Sequence, residues 1–211
     1  MSGNLEIYTD SGYLEIIKGP MFSGKTTRLL DIYKKYKFCG IETMVVNYEK
    51  DNRYSDHLLS SHDKVMIPCI KGLKLNDIVP LLTGDYEKSN KNENEIHKKF
   101  NDSKVILINE GQFFSDIVRW VTIAVEHYQK NVYVCGLNCD FMRNKFGNWL
   151  DLESISDNVV LLHSFCSNCK KRLAIFSHRL SKERDIEVIG SDCYIPVCRK
   201  CYHSLNTHKT D

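Results

Sequence analysis

The sequence predicts an α/β fold with a mainly parallel sheet, followed by a small C-terminal module of separate character. Three observations carry that prediction. Residues 18–27 read Lys-Gly-Pro-Met-Phe-Ser-Gly-Lys-Thr-Thr, with an apolar run before them and a helical pattern after them. Residues 105–108 are Val-Ile-Leu-Ile, a continuous apolar run of the kind a central parallel strand buried on both faces requires. From Cys166 onward the chain carries two C-x-x-C pairs, Cys166/Cys169 and Cys198/Cys201. The expected division is residues 1–163 and 164–211.

Residues 14–17 read as a short buried strand that delivers residues 19–26, Gly-Pro-Met-Phe-Ser-Gly-Lys-Thr, to its end. This is the G-x-x-x-x-G-K-[ST] pattern, and the strand–loop–helix context makes it a phosphate-binding loop. Glycines let the backbone approach phosphates, and the helix N-terminus adds partial positive charge. Lys25 is placed to reach the β- and γ-phosphates and the Thr26 hydroxyl to ligate Mg²⁺. The domain is therefore expected to be phosphate-loop NTPase-like, with a nucleoside triphosphate as its ligand.

Over 25–38 the apolar positions Leu29, Leu30, Ile32, Tyr33 and Tyr36 recur at helical spacing, and Gly40 is placed to end that helix in a left-handed cap. Residues 43–47 form the second strand, parallel to the first through a right-handed crossover. The polar stretch 48–54 leaves its carboxyl end, where open α/β sheets bind ligands, so Asp51 and Arg53 are candidates to face phosphates and metal. A strand over 65–70 and a short helix over 73–82 follow. Residues 84–103 are polar and expected to form an exposed, mobile loop.

The central strand at 105–108 ends in Asn109-Glu110-Gly111-Gln112-Phe113-Phe114, which makes Glu110 a candidate general base or metal-side carboxylate. Ser115 is expected to cap a helix running to Tyr128 with Ile117, Trp120, Val121, Ala124 and Val125 inward. Residues 132–136 form the next strand. The loop 137–149 carries Phe141, Phe146 and Trp149, which either stack on a flat base or pin the loop. Residues 159–162 form the last core strand.

The two cysteine knuckles have the build of a tetrahedral Cys₄ site for structural Zn²⁺, because four thiolates leave no open position. The stretch between them, residues 170–197, exceeds the roughly 15–20 residues common in zinc ribbons, so a long loop is carried between the knuckles. Cys193 and His203 stand nearby as alternative ligands. Within the loop, Ile186-Glu187-Val188-Ile189-Gly190 alternates like a strand and leads to Tyr194.

Composition narrows the class. The 211 residues are 27% charged and 42% hydrophobic, ordinary for a globular protein, and leave room for a core plus an appendage. A net charge of +2 gives no strong pull toward nucleic acid or membrane. No apolar run approaches the roughly 18 residues of a spanning helix, and the start lacks the basic-then-apolar build of a signal peptide. Nine cysteines, an odd count, point to reduced thiols and metal in a cytoplasmic protein.

These motifs occur together in the order used by type II thymidine kinases, the cellular, bacterial and poxviral enzymes, and the chain resembles that family over roughly residues 14–202. The segments that carry the resemblance are 19–26, Asp51-Asn52-Arg53, Glu110-Gly111-Gln112-Phe113-Phe114, the two knuckles and 186–190. The resemblance implies transfer of the γ-phosphate of ATP to the 5′-hydroxyl of thymidine, with Glu110 as base. Lys25 and Arg53 would stabilise charge on the transferring group, and Thr26 would hold Mg²⁺ with Asp51. Gly19, Pro20, Met21, Phe22, Ser23, Gly24, Asn109 and Gln112 would complete the ATP site. Met21, Phe113, Leu137 and Phe141 would enclose the base. A zinc-held lasso, with Ile186, Glu187, Val188, Ile189 and Gly190 between Ser177 and Tyr194, would close over the substrate and read the thymine edge by its main chain. The family also implies homotetramers and feedback inhibition by thymidine triphosphate.

The chain departs from the family in two places. The usual Asp-Glu-Gly-Gln begins here with Asn109, which keeps an acceptor oxygen but loses the charge, so weaker Mg²⁺ binding is expected, partly rescued by Asp51. The lasso is one residue shorter before Tyr194, with Cys193 beside it. Two other readings compete: a deoxynucleoside kinase of broader base preference, and a phosphate-loop ATPase whose zinc ribbon binds nucleic acid. The second has a basic cluster in its favour, Lys170, Lys171, Arg172, Arg199 and Lys200. The near-neutral charge and the lack of aromatic–basic interleaving stand against it.

Overall fold

The computed structural model describes residues 11–51, 58–60, 65–82, 95–180 and 193–206. Among them the chain runs β1 (Tyr13–Gly19), α1 (Lys25–Phe38), β2 (Thr43–Tyr48), β3 (Leu58–Ser60), β4 (Met66–Pro68), β5 (Ile70–Gly72) and α2 (Leu75–Ile78). It continues through α3 (Glu95–Asp102), β6 (Val105–Ile108), a 3₁₀ turn (Gly111–Phe113), α4 (Ile117–Glu126) and β7 (Asn131–Leu137). A second 3₁₀ stretch (Trp149–Ile155) leads to β8 (Asn158–Leu161). The C-terminal module holds β9 (Ser164–Phe165), β10 (Leu173–Ala174), β11 (Phe176–Arg179), β12 (Tyr194–Val197) and α5 (Arg199–Asn206).

Six strands form one sheet in the order β5-β2-β6-β7-β1-β8, and every pairing in it is parallel. Strand alternation divides the core between its two faces. Leu14, Ile16, Met44, Val46, Ile106, Ile108, Val132 and Val134 point to the side covered by α2, α3 and α4. Ile17, Val45, Val105, Leu107, Tyr133 and Cys135 point to the side covered by Leu29, Leu30, Ile32 and Tyr36 of α1. Both faces are covered, so the central strand β6, Val105–Ile108, is apolar and buried at every position. The first two strands are parallel as expected, but β6 and β7 lie between them.

Helix α1 starts at Gly24, whose φ of 82° belongs to the left-handed region. It ends at Gly40, φ 70°, where the Ile41 N–H reaches the Tyr36 carbonyl at 3.0 Å and the Gly40 N–H that of Lys37 at 3.0 Å. This is the left-handed cap that Gly40 predicts.

Five elements differ from the sequence reading. The strand at 65–70 is two strands: β4 pairs antiparallel with β3, while β5 joins the main sheet beside β2. The helix at 73–82 shrinks to the single turn α2. Residues 95–102 of the polar stretch form a helix, because Phe100 is buried edge-on against Trp120 and Tyr128, and Lys130 Nζ donates to the carbonyls of Phe100, Asn101 and Ser103. The part of that stretch at 84–94 lies outside the described residues. Ser115 does not cap α4; Asp116 occupies that position, and its carboxylate instead accepts from the N–H groups of Leu75 and Asn76 at the start of α2. The last strand is an edge strand rather than a core one: β8 pairs with β1 alone in this sheet, and Val159 and Leu161 remain exposed.

Candidate active site

The phosphate loop leaves β1 and turns into α1 as the motif requires. A Cβ on Gly19 would lie 2.5 Å from the Leu162 carbonyl oxygen and 2.6 Å from Ser23 Oγ, so the loop is packed too tightly for any other residue. Ser23 Oγ is buried without a hydrogen-bond partner, and Lys25 Nζ donates to the Pro20 carbonyl at 2.7 Å, holding its charge over the loop. An unspent hydroxyl, a loop-facing ammonium and a helix N-terminus fit a chain of phosphates. Lys18 is otherwise engaged, in an ion pair with Glu153 at 2.8 Å.

Glu110 follows β6 at the same edge of the sheet, with β7 between it and the phosphate-loop strand. At the usual strand spacing that is about 10 Å, the span of a triphosphate end and its metal. The residue sits in the left-handed region (φ 57°, ψ 43°), an uncommon conformation for a non-glycine residue that costs roughly 1 kcal/mol or more. Gln112 Nε2 donates to Glu110 Oε2 at 2.6 Å, while Gln112 Oε1 accepts the Leu137 N–H at 3.0 Å. The end of β7 thus orients the carboxylate through one amide.

Asn109 points to the α1 face and is 1% exposed. Its Nδ2 donates to Asn47 Oδ1 at 2.9 Å, and its Oδ1 accepts from Cys135 Sγ at 3.0 Å. Asn47 Nδ2 in turn donates to Asp51 Oδ2 at 3.2 Å, and Lys71 Nζ donates to the Asp51 carbonyl at 2.8 Å. Asp51 is thereby tied to the strand ends. Its carboxylate and the Thr26 hydroxyl are the hard oxygen donors that Mg²⁺ prefers.

An aromatic wall stands beside these groups. Phe113 stacks on Tyr48 (4.7 Å, 17°) and meets Phe146 edge-on at 5.3 Å. Trp149, by contrast, is fully buried with its Nε1 donating to the Leu137 carbonyl, so it pins the loop and is not a stacking surface.

The C-terminal module docks on both the phosphate loop and the loop after β7. Ser177 Oγ accepts the Met21 N–H at 3.0 Å, Asn138 Nδ2 donates to the Ile175 carbonyl, and the Tyr202 hydroxyl donates to the Phe141 carbonyl at 2.7 Å. Arg179, 2% exposed, lies 3.8 Å from the Phe141 ring centre and donates to the Tyr194 hydroxyl from both Nε and a terminal nitrogen. This joins Phe141 and Tyr194, named from the sequence, through an arginine that sequence reasoning missed. The signal for it was thin: only the alternation of Phe176-Ser177-His178-Arg179.

Cys166, Cys169, Cys198 and Cys201 bring their sulfurs within 4.8 Å of one another, and Cys169 and Cys198 are 3.9 Å apart. Zn–S bonds of about 2.3 Å in a tetrahedron put sulfurs about 3.8 Å apart, so the cluster fits Zn²⁺. Burial opposes ionisation of Cys166, but the backbone N–H groups of Cys169, Cys198 and Asn168 outweigh it and bring the thiol down to about 6. Among the described residues, Cys193 and His203 are not in the cluster. Cys193 instead pairs its carbonyl with the Leu180 N–H.

Of the site residues named from the sequence, Gly19, Pro20, Met21, Phe22, Ser23, Gly24, Lys25, Thr26, Asp51, Asn109, Glu110 and Gln112 follow the carboxyl ends of β1, β2 and β6. Phe113 follows β6, Leu137 ends β7 with Phe141 in the loop beyond it, Ser177 meets Met21, and Tyr194 is joined to Phe141 through Arg179. Arg53 and the lasso residues Ile186, Glu187, Val188, Ile189 and Gly190 lie outside the described residues. Asn47, Tyr48 and Cys135 are additions that only packing reveals. Among the described residues no helix is long and apolar enough to cross a membrane.

Comparison with known proteins gives a consistent result. A family model described as thymidine kinase matches residues 12–202. The thymidine kinase of Vaccinia virus (strain Ankara) is 37% identical over 194 residues, covering 92% of this chain and 98% of that one. That of Variola virus is 38% identical over the same span. That of Yaba monkey tumor virus (strain VR587) is 38% identical over 197 residues, covering 93% and 97%.

Proposed function

The chain belongs to the thymidine kinase family, and from that premise we propose that it transfers the γ-phosphate of ATP to the 5′-hydroxyl of thymidine, giving thymidine monophosphate. The observation that carries the assignment of roles is Glu110, held by Gln112 at the sheet edge where the phosphate loop also opens. Glu110 accepts the proton of the 5′-hydroxyl as its oxygen attacks the γ-phosphorus and the bond to the ADP oxygen breaks. The backbone of residues 19–24 cradles the phosphates; Lys25 and Arg53 balance the charge that moves to the leaving oxygen. Thr26 and Asp51 would hold Mg²⁺, which would supply neutralisation of the charge developing on the transferring group.

Met21, Phe113, Leu137 and Phe141 enclose the base, and the stretch 186–190, between Ser177 and Tyr194, closes over it by main-chain contacts. Apolar walls and a lid that excludes water suit a flat, methyl-bearing base and limit hydrolysis of ATP. Cys166, Cys169, Cys198 and Cys201 would hold Zn²⁺ with four thiolates and no open position, so the metal would be structural and would brace the lid, residues 164–211, from within. A cytoplasmic homotetramer with feedback inhibition by thymidine triphosphate completes the reading, supported by family resemblance.

The test is phosphoryl transfer from labelled ATP by zinc-replete protein with thymidine, deoxycytidine or no acceptor. Thymidine-dependent product that disappears in Glu110→Gln supports the assignment. Equal use of deoxycytidine would broaden the acceptor, and equal ATP turnover without a nucleoside would overturn the kinase chemistry.

A further inference from the structure

Past the last paired positions Val46↔Ile108 and Ile108↔Val134, three residues stand in a row across adjacent strands: Asn47 after Val46, Asn109 after Ile108 and Cys135 after Val134. All three point to the α1 face, the side of the helix that opens at the phosphate loop, and each is at most 2% exposed. They make a continuous chain that ends on a carboxylate: Cys135 Sγ to Asn109 Oδ1, 3.0 Å; Asn109 Nδ2 to Asn47 Oδ1, 2.9 Å; Asn47 Nδ2 to Asp51 Oδ2, 3.2 Å.

The direction of this chain follows from chemistry. An ionised carboxylate only accepts, so Asn47 must turn its NH₂ toward Asp51. Its oxygen then faces Asn109, which must donate; the Asn109 oxygen then faces Cys135, whose thiol must donate in turn. Every amide is fixed in one sense, and none of these buried groups can pay for a reversal with water. We propose that Asn47 is a positioning residue for the metal-side carboxylate, with Asn109 acting through it. The Asn109–Asn47 pair holds Asp51 Oδ2 toward the strand ends and so sets the direction in which the carboxylate is presented to Mg²⁺. An aspartate at 109 could only accept, so it would turn Asn47 around and set the Asn47 oxygen against Asp51. Asparagine at 109 is therefore matched to asparagine at 47 rather than being simply a lost charge.

This inference rests on the proposed function only in taking Asp51 as a metal-side group. Its test reads metal binding directly: the affinity of Mn²⁺ for the protein–ATP complex without thymidine, by electron paramagnetic resonance. Asn47→Leu, close in size but without the donor, is expected to weaken Mn²⁺ about tenfold, the worth of one charge-assisted hydrogen bond. ATP affinity in the presence of a chelator and KM for thymidine should stay unchanged. Asn47→Ser, which keeps a donor, should recover part of the loss and carries the test if the leucine variant does not fold. Asn109→Leu should weaken Mn²⁺ as well, and the Asn47→Leu/Asn109→Leu pair should do no more than Asn47→Leu alone. Unchanged Mn²⁺ affinity in a folded Asn47 variant, or additive losses in the pair, would overturn the proposal. A wild-type protein that fails to phosphorylate thymidine would sink the kinase reading instead, and leaves the metal-binding result to be read by itself.

Discussion

Gly136 lies against Gln112, the amide that orients Glu110, and replacing it with alanine makes a graded perturbation of that carboxylate without touching it. A Cβ there would sit 2.5 Å from Gln112 Oε1 and 2.9 and 3.0 Å from two ring carbons of Trp149. Trp149 is fully buried and tied to the Leu137 carbonyl, so it does not yield. The end of Gln112 is the softer neighbour and must retreat by about 0.9 Å to reach the 3.4 Å of ordinary contact. That shift breaks its bond to the Leu137 N–H and draws its Nε2 away from Glu110. A misplacement near 1 Å in a catalytic constellation costs up to about 100-fold in rate. We expect Gly136→Ala to lower kcat by about 10–100-fold with KM for ATP unchanged. Overpacking should also cost about 1–3 kcal/mol of stability. Gly40→Ala is the control: its φ of 70° strains any alanine by about 1–2 kcal/mol, yet nothing lies within 4 Å of the new methyl. It should lose comparable stability and keep kcat. Thermal unfolding and steady-state kinetics on both variants decide the matter. A folded Gly136→Ala enzyme with wild-type kcat, or an equal kcat loss in Gly40→Ala, refutes the orienting role of Gln112.

Stripping zinc with a strong chelator, or Cys198→Ser, should release about one zinc per chain, lower the unfolding temperature and raise KM for thymidine more than KM for ATP; metal analysis beside kinetics checks this. Arg179→Met should raise KM for thymidine by about tenfold through loss of the charge-assisted hydrogen bond to Tyr194, with KM for ATP unchanged in the same assay. Lys130 offers a pH test. Burial pushes its ammonium down to about 8 from the ordinary 10.5, with repulsion from Lys104 adding to the effect. Between those values the unfolded chain holds a proton that the folded one has released, so this group's contribution to stability rises with pH. Denaturant unfolding of the wild type relative to Lys130→Met, compared at pH 7 and pH 9.5, should show the wild type gaining.

Much of the chain was legible locally, because its signals are local. The phosphate loop, the cap at Gly40, the apolar run of β6 and the cysteine knuckles each encode geometry within a few residues. The failures came where distant residues overrule local pattern. The stretch at 95–102 is polar, and only Phe100 packing on Trp120 and Lys130 capping its carbonyls make it a helix. Asp116 looks like a cap for its own helix but serves α2, forty residues earlier in the chain.

What the sequence by itself determined is the chemistry: a triphosphate loop, a strand-end carboxylate and a tetrathiolate site, all readable from residue type and spacing. What only the tertiary structure decided is how those groups are aimed. The order β5-β2-β6-β7-β1-β8 puts β7 between the phosphate loop and Glu110, and so brings Leu137 to Gln112 and Cys135 to Asn109. Parallel strands meet neighbours far away in sequence, and their register is set by packing on both faces. No window of sequence contains both partners, so Asn47, Cys135 and Arg179 acquire their roles only when the sheet is assembled and the C-terminal module is docked.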